Sequence, residues 1–225
     1  MKPPDMHRMT GFIGVEIDSV ARSKLSSPAL VRYLQEALGQ YHVVVVRDLF
    51  ASLAEQKRLT AELGEPMQFP YIESMPGETH VIAVCKEASE RNTGVFGGDW
   101  HSEFSFLANP PAGSVLNAVE QLPVGGDTIW ANQVAAYEAL DPPLQDFVAT
   151  HRAVRVGKPY GVRHAPAPTT HANAMMRMPG DDPLADRETL HPAVLTVDDT
   201  GTRALFVNLI YTTRFEGLSE AQSTP

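Results

Sequence analysis

Between residues 98 and 132 the chain sets three short apolar runs, "WHSEFSFL", "GSVLNAVE" and "GDTIWAN", apart with the turn-forming segments "ANPPA" and "QLPVGG". No long helix can pass through such punctuation, because each proline removes a backbone donor and each glycine favours a turn. Runs of this length between turn residues read as strands. With 16 glycines and 18 prolines over the whole chain, a helical bundle is a poor fit and a strand-rich core a good one.

Helices are expected mainly at the front. "PALVRYLQEALGQY" (28–41) places Leu30, Val31, Leu34, Ala37 and Leu38 at helical spacing, with Ser26 or Ser27 as cap. It leads into "HVVVVRDL", which reads as a strand buried on both faces. "SLAEQKRLTAELGEP" (52–66) has Ser52 and Glu55 in capping-box spacing and ends at Gly64 and Pro66. Further strands are expected at 79–85 and 150–156, a helix at "QVAAYEAL", and a second short one opened by Asp141-Pro142-Pro143. Residues 157–190 show no period and read as an irregular, lid-like segment. Residues 191–215 read as a hairpin around Asp199-Thr200-Gly201. These elements describe one domain over 1–225, mostly β with flanking helices.

Within "GDWHSEFSFL", a strand would put His101, Glu103 and Ser105 on one face and Trp100, Phe104 and Phe106 on the aromatic, core-directed other. An imidazole and a carboxylate side by side suit a divalent first-row metal. They equally suit a hydrogen-bonded surface pair, and H-x-E spacing leaves both readings open. The remaining histidines lie at strand edges or in irregular stretches, and His191, before a proline, reads as structural or as a support to the residues of a site.

The totals remove several function classes. With 18 basic and 27 acidic residues the net charge is −9, and no basic block is present, which argues against nucleic acid or an anionic membrane as partner. One cysteine, Cys85, permits no internal disulfide, and no apolar run has the length of a signal core or a membrane span. The expected compartment is the cytoplasm and the expected partner a small molecule; a homo-oligomer is left open.

The stretch "WHSEFSFLANPPAGSVLNAVEQLPVGGDTIWANQVAAYEAL" resembles the core of the taurine dioxygenase (TauD/TfdA) family, which reads W-H-x-D, P-P-A, G-G-D-T and A-Y-E-A-L in that order. "HPAVLTVDDTGTRALFVNLIYTTR" is similar to the family's later hairpin, and the likeness runs from about Gly11 to Glu220. The resemblance implies a double-stranded β-helix (jelly roll) with outer helices, and an Fe(II)- and 2-oxoglutarate-dependent dioxygenase. Such an enzyme uses O2 to hydroxylate a substrate C–H while 2-oxoglutarate becomes succinate and CO2.

By matching position, the resemblance makes His101 and Glu103 iron ligands, Glu standing where most members have Asp. It makes Thr128 of G-G-D-T a hydrogen-bond donor to the 2-oxoglutarate carboxylate, and Tyr71 and Tyr211 substrate-pocket residues. Members acting on taurine carry His and Asn about where this chain has Phe69 and Gly97. The implied substrate is taurine- or alkylsulfonate-like, or aryloxyalkanoate-like, with a more apolar one favoured by those two departures. The family's third ligand, a late histidine, and its 2-oxoglutarate-clamping arginine have no counterpart here. "LSEAQ" opens a helix three residues before the chain stops. The expectation is therefore a jelly roll incomplete at its C-terminus. The alternative function is an inactive remnant that serves as a binding module.

Overall fold

Ser27 accepts a hydrogen bond from the Leu30 amide and opens helix α1, Pro28–Tyr41, whose Leu30, Val31, Leu34 and Ala37 are buried. A computed structural model describes residues 5–18, 20–21, 24–87, 96–163, 180–196 and 201–223. These divide into two compact units, one of residues 1–66 with 114–136, the other of 67–113 with 137–225.

The first unit holds a three-stranded sheet of β1 (Met6–Arg8), β2 (Val15–Ile17) and β3 (Val44–Val46), in that order. β1 runs antiparallel to β2, and β2 parallel to β3. Ile17 and Leu25 pack with the apolar face of α1 and with Leu59 of α2, Leu53–Leu63. Burying such side chains stabilises by roughly 1.5–3 kcal/mol each. The Ser52–Glu55 capping box of α2 forms as the spacing predicts. The four valines at 43–46 supply only a three-residue strand, and it is half-buried rather than enclosed on both faces.

The second unit is built on β4 (Arg152–Arg155), held between β5 (Thr189–Pro192) and β8 (Thr212–Phe215), all antiparallel. β6 (Val194–Thr196) and β7 (Arg203–Leu205) pair inside the expected hairpin of 191–215, whose two ends, in β5 and β8, pair with β4 instead; 197–200, with Asp199 and Thr200 of the expected tip, lie outside the described residues. α4, Pro142–Thr150, starts at Asp141 as expected. Its Val148 packs with Tyr137, at the end of α3 (Gln133–Glu138), and with Ala193. A short helix, α5 (Glu220–Ser223), follows β8, with Ser219 and Gln222 bonded as a cap. Much of the expected lid falls at 164–179, outside the described residues; its end holds a 3-10 turn, Pro183–Asp186, and the start of β5.

The expected strands at 79–85, 100–107, 113–120 and 126–132 are not formed. A strand needs a partner for its donors and acceptors. Here isolated bonds take the place of a ladder, such as Met75 N–H to the Val81 carbonyl and Gln56 Nε2 to the Val115 carbonyl. Among the described residues no ladder joins the three sheets, so a closed barrel is not seen.

Candidate metal centre

Residues 101–107 turn rather than extend. The Ser105 amide donates to the Ser102 carbonyl at 3.2 Å and the Leu107 amide to the Phe104 carbonyl at 2.9 Å. Phe104 sits at φ +43°, a left-handed conformation unusual for a bulky residue. Strand alternation is thereby lost. Phe104, Ser105 and Phe106 are all buried, whereas Trp100, expected in the core, is 62% exposed.

The pair survives this change. His101 Nδ1–H donates to the Asp99 carbonyl at 2.7 Å, and Nε2 lies 3.0 Å from Glu103 Oε1. The carboxylate raises the His101 pKa above its ordinary 6.5, against the opposing effect of partial burial. A cation is favoured between the two groups. Two ligand atoms each about 2.1 Å from one ion, at a right angle, stand about 3 Å apart. The donor set and its spacing therefore fit a divalent metal. Among the described residues no group of three His, Cys, Asp or Glu side chains gathers around one point.

Behind the pair lies an aromatic cluster. Tyr211, 3% exposed, meets the His101 ring edge-on at 6.3 Å and Phe106 at 4.8 Å. Its hydroxyl is hydrogen-bonded to that of Tyr160; burial first, and then this contact, push its pKa up. Tyr160 stacks in turn on Tyr71 at 5.5 Å. Tyr71, held at φ +68°, also lines an open cleft of about 900 Å³ with Phe69, Pro70 and Ile72. Glu73, Glu78, Asp181 and Asp182 make the rim of that cleft acidic. Thus His101, Glu103, Tyr211 and Tyr71 belong to one unit and one connected cluster. Thr128 belongs to the other unit, where it is exposed.

Sequence reasoning missed Tyr160 and Arg155. The tyrosine had no signal, but an arginine inside the apolar run "AVRV" was one. Arg155 is fully buried, its Nε has no partner, and no carboxylate among the described residues pairs with it. Its Nη1 donates to the Ser105 carbonyl at 2.9 Å and its Nη2 to that of Phe206, whose ring it covers at 3.8 Å. Burial lowers its pKa to about 10.

The sequence profile of the taurine catabolism dioxygenase TauD, TfdA family matches residues 5–225. An alkylsulfatase of Acinetobacter baylyi is 26% identical over 220 residues, 97% of this chain and 67% of that protein. An alpha-ketoglutarate-dependent sulfate ester dioxygenase of Pseudomonas putida is 31% identical over 143 residues, 63% of this chain but only 46% of its own length. Among solved structures, a taurine dioxygenase from Burkholderia xenovorans superposes with TM-score 0.65 at 23% identity, over 98% of this chain and 69% of that one. That likeness establishes a shared fold, and the match along nearly the whole sequence establishes kinship: the chain belongs to the TauD/TfdA family.

Proposed function

We propose that the chain acts as an Fe(II)- and 2-oxoglutarate-dependent dioxygenase on a small sulfonate, sulfate ester or aryloxyalkanoate, with His101 and Glu103 as metal ligands. The observation that carries this reading is the 3.0 Å approach of His101 Nε2 to Glu103 Oε1, with Nδ1 committed to Asp99. When bound, iron and 2-oxoglutarate would supply the oxidation of a substrate C–H by O2, with release of succinate and CO2.

The chain's own residues prepare that chemistry. The Asp99 carbonyl fixes the ring so that Nε2 faces the cation, as ligating histidines require of their second nitrogen. Thr128 would donate its hydroxyl to the 2-oxoglutarate carboxylate. Tyr71, in the cleft wall and backed by the buried Tyr160 and Tyr211, would give an apolar substrate a flat surface to lie against. At Gly97 an added Cβ would meet His101 Cε1 at 3.5 Å, so a side chain there would look into the site. Glycine at 97 and phenylalanine at 69 leave that side apolar, which supports a substrate with a hydrocarbon body. The acidic rim of the cleft opposes an anionic group at that end.

Anaerobic addition of Fe(II) and then 2-oxoglutarate tests this reading. A weak visible charge-transfer band is expected, lost in His101→Ala and Glu103→Ala and weakened in Thr128→Val. Absence of the band from the unaltered chain overturns it. A second reading, a chain that binds a small molecule without turning it over, is favoured by the lack of a third ligand beside the pair among the described residues. It predicts substrate binding with no succinate formed.

A further inference from the structure

Three successive carbonyls after the ligand pair each receive a side-chain donor from the β4–β5 sheet. Arg155 Nη1 donates to Ser105 at 2.9 Å, Thr189 Oγ1 to Phe106 at 2.7 Å, and His191 Nε2 to Leu107 at 2.8 Å. Arg155 and Thr189 are Cα partners in the ladder, and His191 follows Thr189 on the same face of β5. The segment that lacks a backbone ladder is thus fastened to the sheet by side chains. Asn208 adds a fourth tie, from Nδ2 to Ser105 Oγ at 3.2 Å, while its Oδ1 accepts from the amide of Tyr211.

We propose that Arg155, with Thr189 and His191, is a positioning device for the metal face: it holds the 102–107 turn so that Glu103 stands opposite His101 Nε2. The argument begins from an anomaly. A fully buried guanidinium with an unbonded Nε and, among the described residues, no carboxylate partner is costly, and an apolar side chain would fill the same space without that cost. What only the guanidinium provides is two donors pointing in fixed, divergent directions. One reaches Ser105, two residues from Glu103; the other reaches Phe206, on the segment that leads through Tyr211 into β8. Both sides of the site are therefore referred to one side chain on the central strand of the sheet. Gly157, two residues beyond Arg155, adds to the fit, since an added Cβ would come within 2.7 Å of the Phe106 ring.

The inference rests on the ligand reading only for its metal readout, so two measurements are combined. In the intact chain, Mn(II) binding is followed by the loss of the free-ion EPR signal. Amide hydrogen exchange at Ser105 and Leu107 is measured without metal. Arg155→Met is expected to weaken Mn(II) binding by about 10- to 100-fold, the range for outer-sphere partners of metal ligands. It should also speed exchange at both amides while the β4–β5 amides stay protected. Thr189→Val, which keeps the side-chain shape and is suited to remain folded, should shift both readouts in the same direction by less. Val154→Ala on the same strand serves as the control for a merely structural effect. It should lower Tm yet leave Mn(II) affinity and both amides unchanged. Unchanged exchange at Ser105 and Leu107 in Arg155→Met and Thr189→Val overturns the inference. So does a Val154→Ala variant that reproduces their effects. Mn(II) binding that is absent, or indifferent to His101→Ala, overturns the ligand reading instead, and the exchange data still decide on the fastening.

Discussion

With Nδ1–H committed to the Asp99 carbonyl, the free position on the His101 ring is Nε2, and the Glu103 carboxylate favours whatever cation fills it, a proton or a metal. The two compete. Below the raised pKa of His101 a metal must displace a proton, so apparent Mn(II) affinity should climb with pH, by up to about tenfold per unit. It should level off once pH passes that pKa. In Glu103→Gln, which lacks the carboxylate charge, the leveling should come at lower pH and the plateau affinity should fall; calorimetry across pH 5.5–8.5 reads both. A second residue-scale test is Gly157→Ala. Its methyl would intrude on the buried Phe106 ring and should cost about 1–3 kcal/mol, seen as a lowered Tm. At this scale the sequence disclosed the pair, because His and Glu two apart keep their chemistry whether the backbone is strand or turn. It did not disclose the partners of the pair. Asp99 acts through its carbonyl, which every residue has, and Arg155 reaches Ser105 across 50 positions.

Helices were the legible elements, since their signals are local. Ser52 and Glu55 cap α2, Asp141 caps α4, and α1 buries the face that its spacing marks. Ser52→Ala should therefore lower stability by about 1 kcal/mol, measured by urea unfolding, with little change in metal binding. The strands divide by where their partners lie. The hairpin of β6 with β7 has its partner nearby and forms as expected. The apolar runs at 79–85 and 113–132 have the composition of strands, but composition says nothing of the donors and acceptors that a distant segment must bring. The turn at 102–105 was hidden for another reason. Phe104 has a residue type that resists a left-handed φ, and its packing against Phe69, Phe106 and Tyr160, which lie far off in sequence or beyond the turn, helps to hold it there.

For the molecule as a whole, the surface combines a net charge of −9 with apolar side chains left in water along 116–130. Val119 is 90% exposed, Val124 85% and Leu122 75%. Patches of this kind are adhesive, and like charge opposes contact until salt screens it. Light scattering at fixed protein concentration should rise with added NaCl, and Val119→Glu with Val124→Glu should suppress the rise. The ties from Arg155, Thr189 and His191 have a different reach. They end on main-chain oxygens, which are the same in every amino acid. An exchange of the Leu107 side chain would leave all three acceptors in place, so the spacing of His101 and Glu103 should outlast it. Drift in that side chain and constancy of the fastening would then concern separate atoms of the same short segment.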